Sequence, residues 1–482
     1  MSATDSLLDG PAATIAAAVR ARAVTVAALV EASLARIAAT DPALNAFVQV
    51  CADRARQRAG ELDAQLLDRH ATAALLPLVG VPFAVSNTID VAGLATRAGA
   101  ALEQERAPAR RDAPVVARLE EAGGVLIGAT NVDALGSGAT TESSCDGPTR
   151  NPHDLARTPG GASGGAAAAL AGGQLALSLA SDTTGGLRVP ASLCGVFGLK
   201  PTYGRLPRNG CYPFAPGLDH VGVLARHAGD VALAYDAVQG HDARDPACAV
   251  RAPEPTHASV SARIETLRIA VLGGAFESLA GAEARAAVAL AAEALDVRRT
   301  VELTGTTRAN AAAGLVVLAE SAALHLANLR SRAGAYPAGV RERLIAGAML
   351  PAAWVQQAQR MRRWHALRAS ELLREYDILL APATPCVAPL LGTASLTLDG
   401  VEQRTDAALS ALAQPLSFIG LPVAVAPVWG CHPALPVGVQ VIGAPWREDL
   451  VLRVVHHLQS SGIAHAPVAS VSEAALRAAL RA

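Results

Sequence analysis

Lysine is almost missing from this chain of 482 residues: Lys200 is the one example, and all other basic charge is carried by arginine. A lysine amine can therefore do chemistry at a single position. Charge of either sign is also scarce, at 17% of residues, and the formal net charge is −1. No basic footprint for nucleic acid and no cationic amphipathic face for a membrane follows from that balance. Hydrophobic residues make up 51%, but they are spread out, and no run is expected to be long enough to cross a bilayer. The seven cysteines (Cys51, Cys145, Cys194, Cys211, Cys248, Cys386 and Cys431) are odd in number and scattered, without a C-x-x-C pair or metal-ligand spacing. They exclude a disulfide framework and read as reduced thiols in the cytoplasm. The first residues lack a basic segment followed by an apolar block, so no secretory signal is expected. No carboxylate or histidine cluster calls for a metal, and no cofactor is expected.

What the chain does have is a stretch at 159–202, PGGASGGAAAALAGGQLALSLASDTTGGLRVPASLCGVFGLKPT. A glycine-rich turn opens an alanine-rich helix, a strand-like run follows, and a second glycine turn lies between Asp182 and Arg188. Each glycine in a regular element costs about 0.5–1 kcal/mol unless the backbone needs positive φ or close approach. Such a density implies that something sits against this backbone.

The rest alternates between helical and strand patterns. Residues 12–70 read as helices, with Thr40-Asp41-Pro42 as a cap and first-turn proline. They form a helical layer, 1–75, on the main body. A strand is expected at 83–85, a helix and buried strand at 113–132, and then a long polar loop, DALGSGATTESSCDGPTRNP, of the kind that carries function. LDHVGVLARHAGDVALAYDAVQG reads as a loop and a helix, 267–274 as a strand, and 308–375 as mainly helical. DILLAPATPC, LPVAVAPV and LPVGVQVIG read as strands before a closing helix, EDLVLRVVHHLQ, where His456 and His457 are expected to face solvent. Strands and helices interleave without a linker or repeat. This predicts one α/β domain over 1–482, a mixed sheet covered by helices.

At this point the sequence resembles the amidase signature family, and within it the 1-carboxybiuret hydrolase-like members. The likeness runs through ALVEASLARIAATDPALNAFV, LVGVPFAV, TTESSCDGPTRNP, the glycine-rich stretch with GLKPTYGRL, LDHVGVLAR, YDILLAPATP, VALAYDAVQGHDARDP and LPVGVQVIGAPWRED. The resemblance implies a large mixed, mostly parallel sheet surrounded by α-helices, and hydrolysis of small amides in the cytoplasm. It also implies a homodimer and, as partner, a small accessory subunit. The chemistry it implies uses a neutral lysine, a serine on a cis peptide and a nucleophilic serine, with backbone N–H groups holding the acyl oxygen.

Carried over motif by motif, the lysine position falls on Ser86 in GVPFAVS, the cis-serine on Ala162 in GGASGG, and the nucleophile on Gly186 in DTTGGLR. Lys200, in GLKPT, matches a scaffold lysine. From those identities the chain is expected to have lost Lys–Ser–Ser hydrolysis and to be a non-catalytic protein with a degenerate site. It would keep a pocket for an amide, imide or carboxylate, or serve as partner to an active amidase. Two alternatives stand beside this: a repurposed enzyme of non-hydrolytic carbonyl chemistry, with Cys145, Asp146 or His220 supplying protons, and an engineered inactive amidase. Ligand contacts are expected from Ser163, Asp182, Thr183, Thr184 and Gly185, whose turn could form an anion nest, and polar groups from Ser86 and Asn87. Arg188 reads as a scaffold charge.

Overall fold

The computed structural model describes residues 3–67 and 76–470. The strands are β1 (Phe47–Val50), β2 (Pro82–Ser86), β3 (Val125–Thr130), β4 (Leu177–Asp182), β5 (Phe197–Lys200), β6 (His220–Ala225), β7 (Ile269–Leu272), β8 (Thr300–Val301), β9 (Ile378–Pro382), β10 (Ser395–Leu398), β11 (Val401–Arg404), β12 (Val423–Val428) and β13 (Val437–Gly443). The first eight helices are α1 (Ala3–Asp9), α2 (Ala12–Arg20), α3 (Val26–Leu44), α4 (Ala52–Leu67), α5 (Pro114–Glu121), α6 (Gly164–Ala171), α7 (Arg188–Leu193) and α8 (Ala228–Val238). The rest are α9 (Ala275–Ser278), α10 (Ala282–Ala294), α11 (Thr306–Arg332), α12 (Ala338–Ala348), α13 (Ala352–Glu375), α14 (Thr405–Ser410), α15 (Gln414–Phe418) and α16 (Glu448–Ser460).

Eleven strands form one mixed sheet in the order β1-β3-β2-β4-β6-β5-β12-β13-β9-β7-β8, and β10 and β11 form a separate hairpin. Parallel ladders join β3 to β2, β2 to β4, β9 to β7 and β7 to β8. Antiparallel ladders fill the centre, from β4 through β6, β5, β12 and β13 to β9. Central strands such as β3, β12 and β13 are buried at every residue. That is why they read as unbroken apolar runs rather than alternations. Helices pack on the sheet around a main apolar core that runs from Leu8 to Ala464, and a second cluster joins Leu272, Leu379, Val423 and Ile442 of the sheet to Ala369 and Leu373 of α13 and Leu416 of α15.

Four expectations change here. LDHVGVLAR is not a loop: 220–225 is strand β6, held between β4 and β5. Gly222 permits this, because a Cβ there would stand 2.2 Å from the Leu199 carbonyl oxygen across the β5 ladder. Residues 12–70 are not all helical, since 47–50 is the edge strand β1, and 68–70 lie outside the described residues. Thr40-Asp41-Pro42 does not start a helix; Pro42 lies inside the last turn of α3. The Asp41 carboxylate accepts from the amides of Ala46 (2.9 Å) and Phe47 (3.2 Å) and turns the chain into β1. Finally, one stretch, Thr306–Ala335, is long and apolar enough by length and composition to cross a membrane, against the expectation of none. It packs against α12, α13 and α15. The N-terminal layer expected over 1–75 includes residues 1–2 and 68–75, which lie outside the described residues.

Helices α1 and α2 are tied to the rest of the fold by buried polar groups. Arg226 donates to the carbonyls of Leu170 (3.0 Å), Leu175 (2.6 Å) and Leu8. Asp230 of α8 caps α2, accepting from the amides of Ala12 (2.8 Å) and Ala13 (3.4 Å). Burial pushes the Asp230 carboxyl up to about 6, the amides and Arg226 pulling the other way. A raised folded-state pKa adds stability that is complete below the ordinary carboxylate range and is lost as pH rises through about 6. Asp230→Asn keeps an oxygen for the cap and cannot titrate. Its stability relative to wild type should therefore rise by about 2–2.5 kcal/mol as pH climbs from 4 to 7, read by urea unfolding at each pH. Parallel curves for the two proteins would refute this.

Candidate active site

Strand β4 ends at Asp182, and the chain folds through residues 183–187 before entering α7. The turn is shaped from beneath by a fully buried fork. Arg188 Nε donates to Asp182 Oδ2 (2.9 Å) and Nη2 to Oδ1 (3.0 Å), both side chains having no exposed surface. The remaining guanidinium donors reach Gln440 Oε1 (2.8 Å) and Ser417 Oγ (2.6 Å). Asp182 also accepts from the amides of Gly185 (2.9 Å) and Arg188 (3.2 Å), closing the turn on its own carboxylate. Burial alone would raise this carboxyl; Arg188, and then Lys200 and His220, hold it well below the usual carboxylate range. Asp182, expected at the ligand, thus turns its carboxylate inward.

The glycine-rich turn before α6 packs directly against this one. Gly161 has φ +63°, and a Cβ there would lie 2.7 Å from the Gly186 carbonyl oxygen, so only glycine allows the approach. The Ser163 amide donates to that same oxygen (3.0 Å). The motif positions 162 and 186 meet: a Cβ built on Gly186 would stand 3.5 Å from Ala162 Cβ. Ser163 is buried, its hydroxyl donating to the Ser181 carbonyl (3.3 Å). The peptide bonds of the described residues are all trans, including that at Ala162, where the resemblance implied a cis bond. Ser86 ends β2, beside β4 in a parallel ladder, and its buried hydroxyl has no partner among the described residues.

With the Gly185 amide taken by Asp182, the amides of Thr183, Thr184 and Gly186 have no acceptor among the described residues. An anion cradle at this turn would be built from the consecutive amides of Thr183 and Thr184 and, past the engaged Gly185, that of Gly186. Two cavities flank it. One, of about 760 Å³, is lined by Thr184, Ser137, Asn310, Gln414, Arg343 and Arg404 among others. A smaller one, of about 180 Å³, is lined by Thr183, Thr88, Ser181, Asp219 and Arg208. Phe214 lines both.

The other named residues fall around this centre. Lys200 is buried in β5, its ammonium donating to the carbonyls of Leu421 (2.6 Å) and Pro201 (3.1 Å); burial, then Arg188, drives its pKa well below the ordinary value. His220 directs Nδ1–H at the carbonyls of Leu218 (2.5 Å) and Asp182 (3.2 Å), which assigns the proton to Nδ1. Its Nε2 is buried without a partner among the described residues, and burial, with Lys200 beside it, pushes its pKa well down. Cys145 and Asp146 line neither cavity. The thiol lies 3.7 Å from Asp146 Oδ2, and burial followed by that carboxylate raises its pKa, while Asp146 pairs with Arg97 at 3.0 Å. Asn87 is occupied with Ala95 and Arg97 of its own loop. Among the described residues no group of three or more His, Cys, Asp or Glu side chains could hold a metal. The sequence reading missed Asp219, which accepts from Thr183 Oγ1 at 2.6 Å, although it directly precedes His220 in LDHVG.

Residues 28–452 match the amidase family, and the chain belongs to it. It is similar to AtzE, the 1-carboxybiuret hydrolase subunit of Pseudomonas sp. (strain ADP), being 46% identical over 90% of this chain and 94% of that protein. It is also 36% identical to a glutamyl-tRNA(Gln) amidotransferase subunit of Anaeromyxobacter dehalogenans (strain 2CP-C), over 92% of this chain and 94% of the relative. A solved structure described as a vestigial protein complex, bearing on the origins of an s-triazine catabolic enzyme, superposes with a TM-score of 0.93 at 44% identity, covering 95% of this chain and all of that one.

These relatives correct the expectation of an inactive homologue. Subunits of a hydrolase and of an amidotransferase match nine-tenths of the chain, so the inference from three residue identities to a non-catalytic protein with a degenerate site does not stand. Its variants, the non-hydrolytic repurposed enzyme and the engineered inactive amidase, fall with it.

The buried fork makes a direct prediction. Arg188→Met removes the cation and leaves Asp182 charged and unpaired, which should cost about 3–5 kcal/mol at neutral pH. In the wild type the contribution is present above the ordinary carboxylate range and is lost as pH falls below it. The deficit of the variant should narrow in acid, where a protonated Asp182 needs no partner. Chemical unfolding at pH 7 and pH 4 measures both, and equal midpoints for the two proteins at pH 7 would rule the fork out as a stabilising element.

Proposed function

We propose that the chain hydrolyses a C–N bond in a small, polar amide, imide or urea-type substrate. The observation that carries this reading is the turn at 183–186, which offers three unengaged amides to a developing oxyanion between two cavities. Support comes from family membership and from the 46% identity to a protein named for its place in a hydrolase. The larger cavity is polar on its Asn310, Gln414, Arg343 and Arg404 side, where both guanidinium groups pair with Asp406 of the same lining, at 3.5 Å and 3.0 Å, and a substrate carboxylate would share them with it.

The motif resemblance pairs Ser86, Ala162 and Gly186 with the family's lysine and two serines, and on that pairing hydrolysis here draws on other hydroxyls of the site. Ser163, Thr183 and Thr184 are the ones at the turn. A partner protein belongs to the same reading, since the hydrolase relative is named as one subunit of its enzyme, and a similar structure is described as a complex. Homodimer formation and a cytoplasmic setting complete it.

The test is ammonia or amine release by the purified full-length protein, with a panel of small amides, imides, biuret-type ureas and their carboxylated forms. Saturable release from at least one small carboxylated member is expected. No release above the uncatalysed rate from any member would overturn the reading.

A further inference from the structure

This inference rests on the hydrolase reading and concerns the side chains that carry the reaction. The geometry points to Thr183 as the hydroxyl that attacks the substrate carbonyl, with Asp219 as the base that takes its proton. Thr183 Oγ1 donates to Asp219 Oδ1 at 2.6 Å, a short charge-assisted bond of the kind that readies a nucleophile. The neighbouring hydroxyls lack such a base. Ser163 points at the Ser181 carbonyl, Thr88 and Ser181 share a 3.2 Å contact with each other, and Ser86 has no partner among the described residues.

The pair is also held in place. Asp219 accepts from the amides of Phe214 (2.9 Å) and Ala215 (3.0 Å), which fixes the carboxylate within its loop. The loop is clamped at Gly217, whose amide donates to Glu320 Oε2 of α11 (2.7 Å) and whose carbonyl accepts from Arg362 Nη2 of α13 (2.7 Å). Thr183 and Asp219 both line the 180 Å³ cavity, and the Thr183 amide belongs to the anion cradle. The cavity admits a reacting group of a few heavy atoms, which limits the substrate's reacting end to a formamide-, acetamide- or urea-sized unit.

Atoms and protons balance through two half-reactions. Thr183 Oγ bonds to the carbonyl carbon while its proton passes to Asp219, and the oxyanion is held by backbone amides. Collapse breaks the C–N bond, and the leaving nitrogen takes the proton from Asp219. Water then attacks the acyl ester of Thr183, giving one proton to Asp219, which returns it to Thr183 Oγ as the acid leaves. Burial raises the Asp219 pKa above its ordinary value, the hydrogen bonds from Thr183 and the two amides opposing this, and keeps the group a useful base. The charges facing it are Arg208 from its own loop and Glu320 from α11, with the Cys211 thiol also nearby.

The experiment is acyl trapping on the full-length protein with p-nitrophenyl acetate, followed by peptide mapping by mass spectrometry, alongside variant kinetics on the best amide of the panel. The acetyl group is expected on Thr183. Thr183→Val should lose about 10³-fold or more in kcat, Thr183→Ser should stay within about tenfold of wild type, and Asp219→Asn should lose about 10²–10⁴-fold in kcat with KM little changed. Asp219→Asn should also remove the acid limb of the kcat profile, which a purely structural role would leave in place. Acetyl on another hydroxyl, or wild-type turnover by Thr183→Val, overturns the assignment. Labelling of the wild type decides the question even if a variant fails to fold. A wild type that turns over no amide in the panel defeats the hydrolase reading itself, and this inference with it.

Discussion

The Asp182–Arg188 fork is the interaction on which the site depends. Both groups have lost all contact with water, a loss that is recovered only when every donor and acceptor is met. Gln440 and Ser417 complete the guanidinium, and the amides of Gly185 and Arg188 complete the carboxylate. The side-chain amide of Gln440 is in turn held by the carbonyls of Pro382 and Leu412. Strands β4, β9 and β13 and helices α7 and α15 thus converge on one ion pair. A turn that leaves three amides without an acceptor among the described residues can persist because the ion pair beneath it is so thoroughly satisfied.

Much of this is legible in the sequence alone. The glycines at 160, 161, 185 and 186 announce close backbone approach, and the two turns do meet, with the Gly186 oxygen accepting from Ser163. The buried strands show as apolar runs. What escapes has a common cause, in that it depends on contacts between residues far apart in sequence. β6 looks like a loop because nothing local shows that Gly222 must lie against Leu199. Asp219 passes unnoticed because its partner, Thr183, is 36 residues earlier. The lining of the larger cavity by α11 and α12 cannot be read from helices whose periodicity reports only that they are helices.

Identities at 86, 162 and 186 predict inactivity only if a site is the sum of its best-known side chains. Oxyanion stabilisation is a property of backbone geometry, often the largest single catalytic contribution, and it leaves no signature in side-chain identity beyond the glycines that permit it. The cradle proposed for residues 183–186 would be compatible with more than one supplier of hydroxyl and base, which is why relatives over nine-tenths of the chain carry more weight than three positions.

The order of the sheet has a consequence for how the chain comes off the ribosome. Strands β1 to β6 all lie within the first half of the sequence and can pair among themselves, but the free edge of β5 waits for β12. The contact that seals it, from Lys200 to the carbonyl of Leu421, spans 221 residues. Until that segment emerges, a nascent chain presents an open, apolar strand edge beneath a half-built site, and loop-closure entropy slows the final pairing. Folding of this protein is therefore a race between late intramolecular closure and edge-to-edge association with other chains, which makes chaperone supply and expression temperature matter more than its finished stability would suggest.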